Sequence, residues 1–358
     1  MKILALTRYT RLGASSRLRT YQYLSSWENE GFQVTVSPLF NDTYIKGLQD
    51  GYRQPGAVLD AYWNRLRTLF SARQYDLIWI EYECLPWLPA LIERLFLSSK
   101  TPYIVDYDDA VFHYYDQHRL SIVRRILGNK HAQLIRRASL VIAGNEYLAA
   151  YARKHGAKTV SLIPTAVDLT RYPFDPNHSE TRTVSRPKVC WIGQRSTAHF
   201  LRPLASIFSR LTSENKGEFV AIGIDAAPLN LPMTSIPWAE DTEVASIQSC
   251  DIGIMPLTDG PFERGKCGYK LIQYMACGLP VIASPVGVNK KIVEHGINGY
   301  LAESPEEWAH ALERLLQDRE LREEMGKAGR LKVEKEYCTQ VTAKQLIEKV
   351  RQTTLSQK

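Results

Sequence analysis

The segment at residues 263–287, ERGKCGYKLIQYMACGLPVIASPVG, brings three cations next to two glycines. Arg264, Lys266 and Lys270 lie within a few positions of Gly268, where apolar residues at helical spacing predict the start of a helix. A helix N-terminus attracts anions, and a glycine lets a phosphate approach the backbone closely. The pattern therefore indicates a phosphate site on Lys266, Gly268 and Lys270. A solvated basic loop capping an ordinary helix explains the same residues equally well.

A second group of reactive side chains crowds residues 103–116, YIVDYDDAVFHYYD. A histidine, His113, stands there among four acids, namely Asp106, Asp108, Asp109 and Asp116. The acids begin where a predicted strand ends, and polar side chains at a strand end can face a ligand or act in acid–base chemistry. Aspartates that cap the start of a helix are the alternative.

These segments need a scaffold that gathers strand ends at one edge. Apolar or β-branched runs predict strands at residues 2–7, 33–39, 75–82, 101–107, 138–144 and 159–165, and again at 188–193, 218–224, 250–257 and 280–285. Amphipathic stretches separate the runs, and strands that alternate with helices form parallel sheets. The sequence predicts an α/β protein of two doubly wound, Rossmann-like halves. A ligand is expected in the cleft between such halves, at the carboxyl ends of the strands.

The predicted halves are an N-terminal domain at residues 1–168 and a C-terminal domain at residues 188–335. Residues 169–187 between them are polar, rich in Pro, Ser and Thr, and without periodicity, which is typical of a linker. Residues 336–358 are expected to form a helical segment that could cross back to the N-terminal domain.

The composition of the 358 residues, 44% hydrophobic and 23% charged, is typical of a globular protein. No apolar run approaches the roughly 20 residues that span a bilayer, and arginines interrupt the N-terminal stretch where a signal peptide would continue. Six cysteines without a CxxC pair fit a reducing compartment, so we expect a cytoplasmic protein. The formal charge of +7 favours anionic partners without choosing among them.

Several segments resemble the GT-B-fold glycosyltransferases, specifically the retaining family 4 (glycosyl transferases group 1). KLIQYMACGLPVIASPVGVNKKIVEHGINGYL is similar to that family's donor-site segment, and CDIGIMPL to the strand before it. KVCWIGQR resembles the first strand of its C-terminal domain, and ASLVIAGNEYLAAYA the end of its N-terminal domain. The resemblance implies transfer of a sugar from a nucleotide-sugar donor with retention of configuration. It also implies that the N-terminal domain binds the acceptor and the C-terminal domain binds the nucleotide sugar. In the family's usual mechanism the leaving phosphate accepts the acceptor's proton.

The resemblance also assigns cations to the donor diphosphate. Arg195 lies one position from the family's diphosphate arginine, and Lys270 matches a lysine of some family branches. Where the family carries a second basic group shortly after Arg195, this chain offers His199 and Arg202 instead, and Lys266 could replace that charge.

The family's two donor glutamates correspond here to Gly265 and Gln273. Gln273 can still hydrogen-bond ribose hydroxyls, because an amide both donates and accepts. Gly265 has no side chain for the sugar, and Glu263 could take over that role.

In the N-terminal domain, the resemblance implies that Asp108 and Asp109 lie near the acceptor or the donor sugar, with His113 as a lesser candidate. The loop RLGASSR at residues 11–17 corresponds to a turn that approaches the donor phosphate and the acceptor, through Gly13. A plain turn into the next helix is the alternative for Gly13. Arg17 and Arg19 could be surface charges.

We therefore expect a metal-independent, hexosyltransferase-type enzyme of surface polysaccharide or glycolipid biosynthesis, with a nucleotide sugar as substrate and a glycan or lipid-linked acceptor. A catalytically inactive GT-B binding partner and a nucleotide-sugar epimerase of the same fold are the alternatives. Residues 62–73 and 118–137 combine Arg and Lys with apolar residues at helical spacing, so they could lie on the anionic inner face of the cell membrane. Core-packed helices with a basic outer face explain them as well. We expect no metal, no other cofactor and no nucleic acid partner.

Overall fold

The computed structural model of the protein describes residues 1–49, 52, 55–97, 101–174 and 186–355. These residues form two compact units. The first unit comprises Met1–Thr165, Gly265–Cys267 and Val341–Lys358, and the second comprises Ala166–Arg264 and Gly268–Gln340. Most of the predicted linker, at residues 175–185, lies outside the described residues, and its first residues group with the second unit.

Each unit is built on a parallel β-sheet, as the alternation of strands and helices predicts. The strands in chain order are β1 Lys2–Tyr9, β2 Gln33–Phe40, β3 Leu77–Glu81, β4 Tyr103–Tyr107, β5 Leu140–Ala143, β6 Val160–Leu162, β7 Lys188–Ile192, β8 Glu218–Ile222, β9 Met233–Ile236, β10 Ile252–Met255, β11 Val281–Ala283 and β12 Gly299–Leu301. In the described residues, the first sheet has the order β2-β1-β3-β4-β5-β6, and the second the order β12-β11-β10-β7-β8-β9. Every neighbouring pair is parallel.

Helices fill the connections between strands. The α-helices in chain order are α1 Ala14–Arg19, α2 Leu24–Asn29, α3 Asp42–Gln49, α4 Pro55–Phe70, α5 Ala90–Phe96, α6 His113–Asp116, α7 Ser121–Leu127, α8 Lys130–Arg137, α9 Glu146–Lys154, α10 Ala205–Ser213, α11 Glu243–Gln248, α12 Pro261–Arg264, α13 Tyr269–Ala276, α14 Asn289–Ile292, α15 Pro305–Gln317, α16 Arg319–Glu336 and α17 Thr339–Leu355. Within the described ranges, none of them combines the length and the apolar character that crossing a bilayer requires.

Each sheet has one point at which the strand order reverses. In the first sheet this switch point lies between β1 and β3, and in the second it lies between β7 and β10. Connections on the two sides of a switch point leave toward opposite faces of the sheet, so a crevice opens at the carboxyl ends of the strands. The residues that follow β1, β3, β7 and β10 are therefore the ones placed to meet a ligand.

The core of the first unit shows why the end of the chain belongs to it. Trp27 and Trp79, the second of which belongs to β3, are fully buried in the core of the first unit. Helix α17 adds apolar side chains to the same cluster, namely Ala343, Leu346, Ile347 and Val350. Tyr23 Oη and Thr342 Oγ1 are 2.8 Å apart in this interior. Burial of the apolar face of α17 holds this last helix in the first unit.

Candidate functional site

The acids in and after β4 differ in their surroundings: one is paired inside the fold, and two lie at the edge of the sheet. Asp106, within β4, is buried and forms two hydrogen bonds with the guanidinium of Arg19, at 2.6 and 2.9 Å. Burial alone would lower the pKa of Arg19, but the Asp106 carboxylate raises it above its ordinary value. Arg19 is therefore no surface charge, which corrects that prediction, and Asp106 is used inside the fold.

Asp108 and Asp109 follow β4 at the carboxyl edge of the first sheet. Asp108 is buried, and its Oδ1 accepts a hydrogen bond from Tyr82 Oη. Asp109 is more open, and its Oδ1 lies 3.9 Å from Lys266 Nζ. The structure thus brings three of the predicted site residues, Asp108, Asp109 and Lys266, to one edge of the first unit.

His113 is already engaged on both ring nitrogens. Its Nδ1 lies 2.8 Å from Asp116 Oδ1, and its Nε2 lies 2.8 Å from Tyr147 Oη. Both contacts hold the ring in α6. His113 therefore stays a lesser catalytic candidate than Asp108 and Asp109. Among the described residues, no group of three or more His, Cys, Asp and Glu side chains could hold a metal ion.

A buried carboxyl lies at the switch point of the first sheet. Glu81, the last residue of β3, accepts hydrogen bonds on Oε2 from Ser16 Oγ at 2.7 Å and from the backbone N–H of Arg8 at 3.1 Å. Burial raises the pKa of Glu81 to about 7, although both hydrogen bonds favour its ionised form. Glu81 thereby fixes the loop from β1 to α1.

Gly13 lies in that loop, directly before α1. A Cβ atom at this position would overlap the side chain of Tyr9, so only glycine fits the turn. The backbone N–H of Gly13 donates to Thr10 O at 3.0 Å and closes the turn. This geometry supports the helix-entry role of Gly13, and its approach to a phosphate stays a prediction.

The segment Gly265–Cys267 shows why no glutamate stands at position 265. A Cβ atom at Gly265 would overlap Ala110 Cβ and come within 2.9 Å of the Ala110 backbone nitrogen. The side-chain amide of Asn145 donates to the carbonyl oxygens of Gly265 at 2.7 Å and Lys266 at 3.0 Å. The glycine therefore serves close packing against Ala110.

In the second unit, Lys270 reaches from the start of α13 to the carboxyl end of β7. Its Nζ lies 4.3 Å from the ring centroid of Trp191, which is a cation–π geometry. A Cβ atom added at Gly193, the residue after β7, would come within 2.8 Å of the same Nζ. The predicted cation is thus located beside the switch point of the second sheet.

Arg195 begins the 3-10 helix Arg195–Leu204, two residues after Gly193, and is exposed. The neighbouring strand β8 is followed by Gly223, whose φ of 94° favours glycine. A Cβ atom at Gly223 would come within 2.6 Å of Gly193 O. A glycine therefore follows each of these two neighbouring strands, and Lys270 Nζ lies beside the first of the two glycines.

Gly268 sets the start of α13, and its contact with a phosphate stays a prediction. Its φ of 66° lies in the left-handed region, and a Cβ atom there would overlap the side chain of Ile292. Its carbonyl accepts the N–H groups of Leu271 at 2.9 Å and Ile272 at 3.3 Å, which starts α13. Gly268 is buried, whereas the next residues, Tyr269 and Lys270, are half-buried. The helix begins where predicted, but this glycine meets protein rather than open space.

Gln273 points into the protein core and does not face solvent. Gln273 is buried on α13, and its Nε2 donates to Tyr172 Oη at 3.0 Å. The ribose contact expected of Gln273 therefore gains no support from its surroundings. Glu263, on the short helix α12, is half-buried, and its carboxylate folds back toward Gly260 of the same loop.

A buried ionic cluster in the first unit was not predicted from the sequence. Lys130 Nζ lies 2.7 Å from Glu83 Oε2 and 2.8 Å from Glu93 Oε1, and all three side chains are buried. Tyr115 Oη donates to Glu83 at 2.9 Å. Lys130 had been grouped with a basic helix face, and no local pattern marks it as a core residue.

Two other relevant residues were missed, Tyr82 and Asn145. Asn145 caps α9 by accepting the N–H of Leu148 at 3.0 Å, and an Asn between a strand and a helix is a recognisable cap signal. Tyr82 carries no such signal, because only the packing of β3 against β4 brings it to Asp108.

Comparison with known proteins finds a glycosyltransferase family model that matches each of the two units. The family described as Glycosyl transferases group 1 matches residues 187–318, and the family described as Glycosyl transferase 4-like domain matches residues 8–166. The D-inositol 3-phosphate glycosyltransferase of Paenarthrobacter aurescens is 35% identical over 107 residues, which is 29% of this chain and 25% of that protein. Spore coat protein SA of Bacillus subtilis is 38% identical over 76 residues, 20% of each chain. The matches span a fifth to a quarter of these relatives' lengths.

Solved structures agree over almost the whole chain. Sucrose-phosphate synthase from Thermosynechococcus elongatus superposes with a TM-score of 0.75 at 18% identity, covering 99% of this chain and 100% of that chain. Anabaena HepE in complex with UDP and glucose gives a TM-score of 0.70 at 17% identity, covering 98% and 100%. The two Rossmann-like units define the GT-B class of glycosyltransferase fold. The chain belongs to the glycosyl transferases group 1, which confirms the family and the fold class predicted from the sequence.

Proposed function

We propose that the protein is a retaining glycosyltransferase that moves a hexose-type sugar from a nucleotide-sugar donor to a glycan or lipid-linked acceptor. The observation that carries the proposal is the position of Lys270 Nζ beside Gly193, at the switch point of the second sheet. Membership of the group 1 family supports transfer, and the structure of Anabaena HepE in complex with UDP-glucose supports a nucleotide-sugar donor.

In this proposal, Lys270 and Arg195 hold the donor diphosphate at the positive end of α13. The bond between the anomeric carbon and the phosphate oxygen breaks, so negative charge develops on the departing diphosphate. Fixed cations stabilise that charge more strongly in the transition state than in the ground state. The acceptor hydroxyl oxygen bonds to the anomeric carbon, and its proton passes to the departing phosphate oxygen. The chain's own cations thus serve the leaving group, in keeping with the expected metal independence.

Lys270→Met tests the donor site, because methionine keeps the stem against Trp191 and removes the charge. We expect kcat/KM for the nucleotide sugar to fall about 10- to 100-fold, the range for a lost charge-assisted contact. Lys327→Met, at an exposed lysine of α16, is the matched control and should leave the rate unchanged.

Three results would contradict the proposal. An unchanged rate in Lys270→Met would remove Lys270 from the donor site. Thermal protection by UDP-, GDP- or dTDP-sugars without turnover on any glycan or lipid-linked acceptor would favour an inactive binding partner. Release of a free, configurationally altered sugar without transfer would favour an epimerase.

For the acceptor side we propose Asp108 and Asp109 as the residues that meet the sugar hydroxyls. Both lie at the carboxyl edge of the first sheet, and carboxylates accept hydrogen bonds from hydroxyl groups. Glu263 remains the candidate for the donor sugar in the second unit. Asp109→Asn and Glu263→Gln separate the two roles, since the first should raise the acceptor KM and the second should lower turnover at saturating acceptor.

We also propose that the first unit contacts an anionic membrane at the cytoplasmic face, where lipid-linked acceptors are found. Helices α4, α5 and α7 carry exposed apolar side chains, namely Leu59, Trp63, Phe70, Leu91, Leu95, Ile122 and Ile126. Arg124 and Arg125 accompany them on α7, and basic residues beside apolar ones favour anionic lipid. Helix α8 is different, because it buries most of its apolar residues in the core.

Vesicle co-sedimentation tests this contact. The double variant Ile122→Glu with Ile126→Glu should lose binding to phosphatidylserine-containing vesicles, whereas Leu331→Glu, at an exposed leucine of the second unit, should keep it. Equal binding of both variants, or no binding of the wild type, would contradict the proposal.

A further inference from the structure

Tyr82 occupies a backbone conformation that tyrosine rarely adopts. It follows β3 directly, at the switch point between β1 and β3, and has a φ of 61°. A bulky side chain in the left-handed region is strained and persists only where the surroundings hold it there. Such strain concentrates at functional sites. The position and the conformation together single out Tyr82.

The contacts of Tyr82 join three connections at the carboxyl edge of the first sheet. Its Oη donates to Asp108 Oδ1 and lies 3.1 Å from Ser15 Oγ, in the first turn of α1. Its backbone N–H donates to Asp106 O at 3.1 Å. The side chain is buried, so these contacts are shielded from water. Tyr82 therefore bridges the loop after β1 and the acids after β4.

The hydroxyl of Tyr82 remains a donor throughout the working pH range. Burial raises the pKa of Tyr82 well above its ordinary value, and the nearby carboxylates of Asp108, Asp109 and Glu81 add to that effect. A protonated hydroxyl donates to one oxygen of Asp108. The other oxygen, Oδ2, is then the one left for a substrate hydroxyl.

The buried ionic cluster of Lys130, Glu83 and Glu93 stabilises the strained turn at residues 82–87. Glu83, next to Tyr82, is fixed by Lys130 and Tyr115. Four residues further on, Trp87 also has a φ of 61°, and its N–H donates to Tyr115 Oη at 2.9 Å. Two left-handed aromatic residues in one six-residue turn are thus held by the same buried groups, which offsets their strain.

We propose that Tyr82 is a positioning residue, which holds Asp108 in a single orientation so that its second oxygen meets an acceptor hydroxyl. The proposal rests on the proposed function and deepens it on the acceptor side. Orientation of a reacting group accounts for a large part of a rate enhancement, and a displacement of about 1 Å can cost about 100-fold.

Tyr82→Phe in the full-length chain tests the proposal, since it removes only the hydroxyl. The matched control is Tyr103→Phe, which removes a buried hydroxyl that donates to Leu134 O at 2.8 Å, away from Asp108. We expect Tyr82→Phe to lower kcat/KM for the acceptor about 10- to 100-fold, while the donor KM and the slow hydrolysis of donor by water stay at wild-type values. Tyr103→Phe should lose thermal stability without a change in this ratio of transfer to hydrolysis.

The outcomes are distinguishable. A wild type that neither transfers nor hydrolyses any nucleotide sugar contradicts the proposed function, whereas an active wild type with equal ratios in both variants contradicts the role of Tyr82 alone. A crystal structure of Tyr82→Phe gives a second readout that needs no activity. Asp108 in more than one rotamer supports positioning, and Asp108 in one unchanged rotamer overturns it. If Tyr82→Phe does not fold, Ser15→Ala removes the other partner of the hydroxyl and should shift the same ratio several-fold in the same direction.

Discussion

The two units differ in how many charged side chains they bury. Among the described residues, the first unit buries nine Asp, Glu, Lys or Arg side chains, namely Arg17, Arg19, Arg65, Glu81, Glu83, Glu93, Asp106, Asp108 and Lys130. The second unit buries two, Glu243 and Arg330. Large apolar side chains are also exposed unequally in the described ranges, thirteen in the first unit and two, Ile297 and Leu331, in the second.

The difference shows two ways to build a site at the carboxyl edge of a parallel sheet. The second unit keeps a mostly apolar core and places Lys270 beside the glycine that follows β7, which suits a ligand that carries its own charge. The first unit places ionisable groups inside the fold, where each must be paired because burying an unpaired charge is costly. Buried, mutually constrained acids are typical of positions that need fixed orientation or a shifted pKa.

The largest expected effect comes from breaking the buried cluster of the first unit. Lys130→Met leaves Glu93 buried without its cation and leaves Glu83 with the more distant Arg8, at 3.4 Å. We expect a loss of about 3–5 kcal/mol in the free energy of unfolding. Arg210→Met, which removes an exposed ion pair of the second unit, should barely shift the denaturation midpoint. Urea denaturation of both variants measures the contrast, and equal losses would erase the distinction between the units.

The next effect is a pH dependence that arises from Glu81. Its pKa is about 7 in the folded protein against an ordinary 4.5, so the unfolded chain ionises first as the pH rises. The stability contribution of Glu81 therefore falls between about pH 4.5 and 7, by on the order of 3 kcal/mol, and is constant above. Subtracting the unfolding free energy of Glu81→Gln from that of the wild type at each pH isolates this change. A difference that does not vary with pH would contradict a buried, raised carboxyl.

The smallest effect tests how much close packing around a glycine contributes to the stability of the second unit. Gly268→Ala meets both a left-handed backbone and the side chain of Ile292, and should cost about 2–3 kcal/mol. Gly296→Ala has the same backbone restriction at a φ of 80° but open space around it, and should cost about 1 kcal/mol. Thermal unfolding compares them, and similar losses would show that contact with Ile292 adds nothing.

Much of the fold could be predicted from local patterns. All ten apolar runs identified in the sequence contain strands. Most of these strands are buried, and a strand buried on both faces needs a continuous apolar stretch. Strands β9 and β12 were not predicted. The first is half-exposed at the edge of its sheet and the second is three residues long, so neither has a distinctive pattern.

The candidate site was predictable where a local signal exists. The start of α13 and the position of Lys270 on it follow from helical spacing and the glycine before it. The packing of Gly265 against Ala110 was not predictable, because the partner is 155 positions away in the sequence. Arg19 was expected at the surface for the same reason, since its partner Asp106 lies 87 positions away, on β4.

By itself, the sequence determined the α/β class, the family and the short basic helix start, since each depends on residues that are near neighbours in the chain. Tertiary structure alone decided which acids are used inside the fold, which glycines meet protein, and that Tyr82 meets Asp108. The physical reason is that parallel strands joined by long connections bring distant segments to one edge, where burial and pairing set the role of each charge.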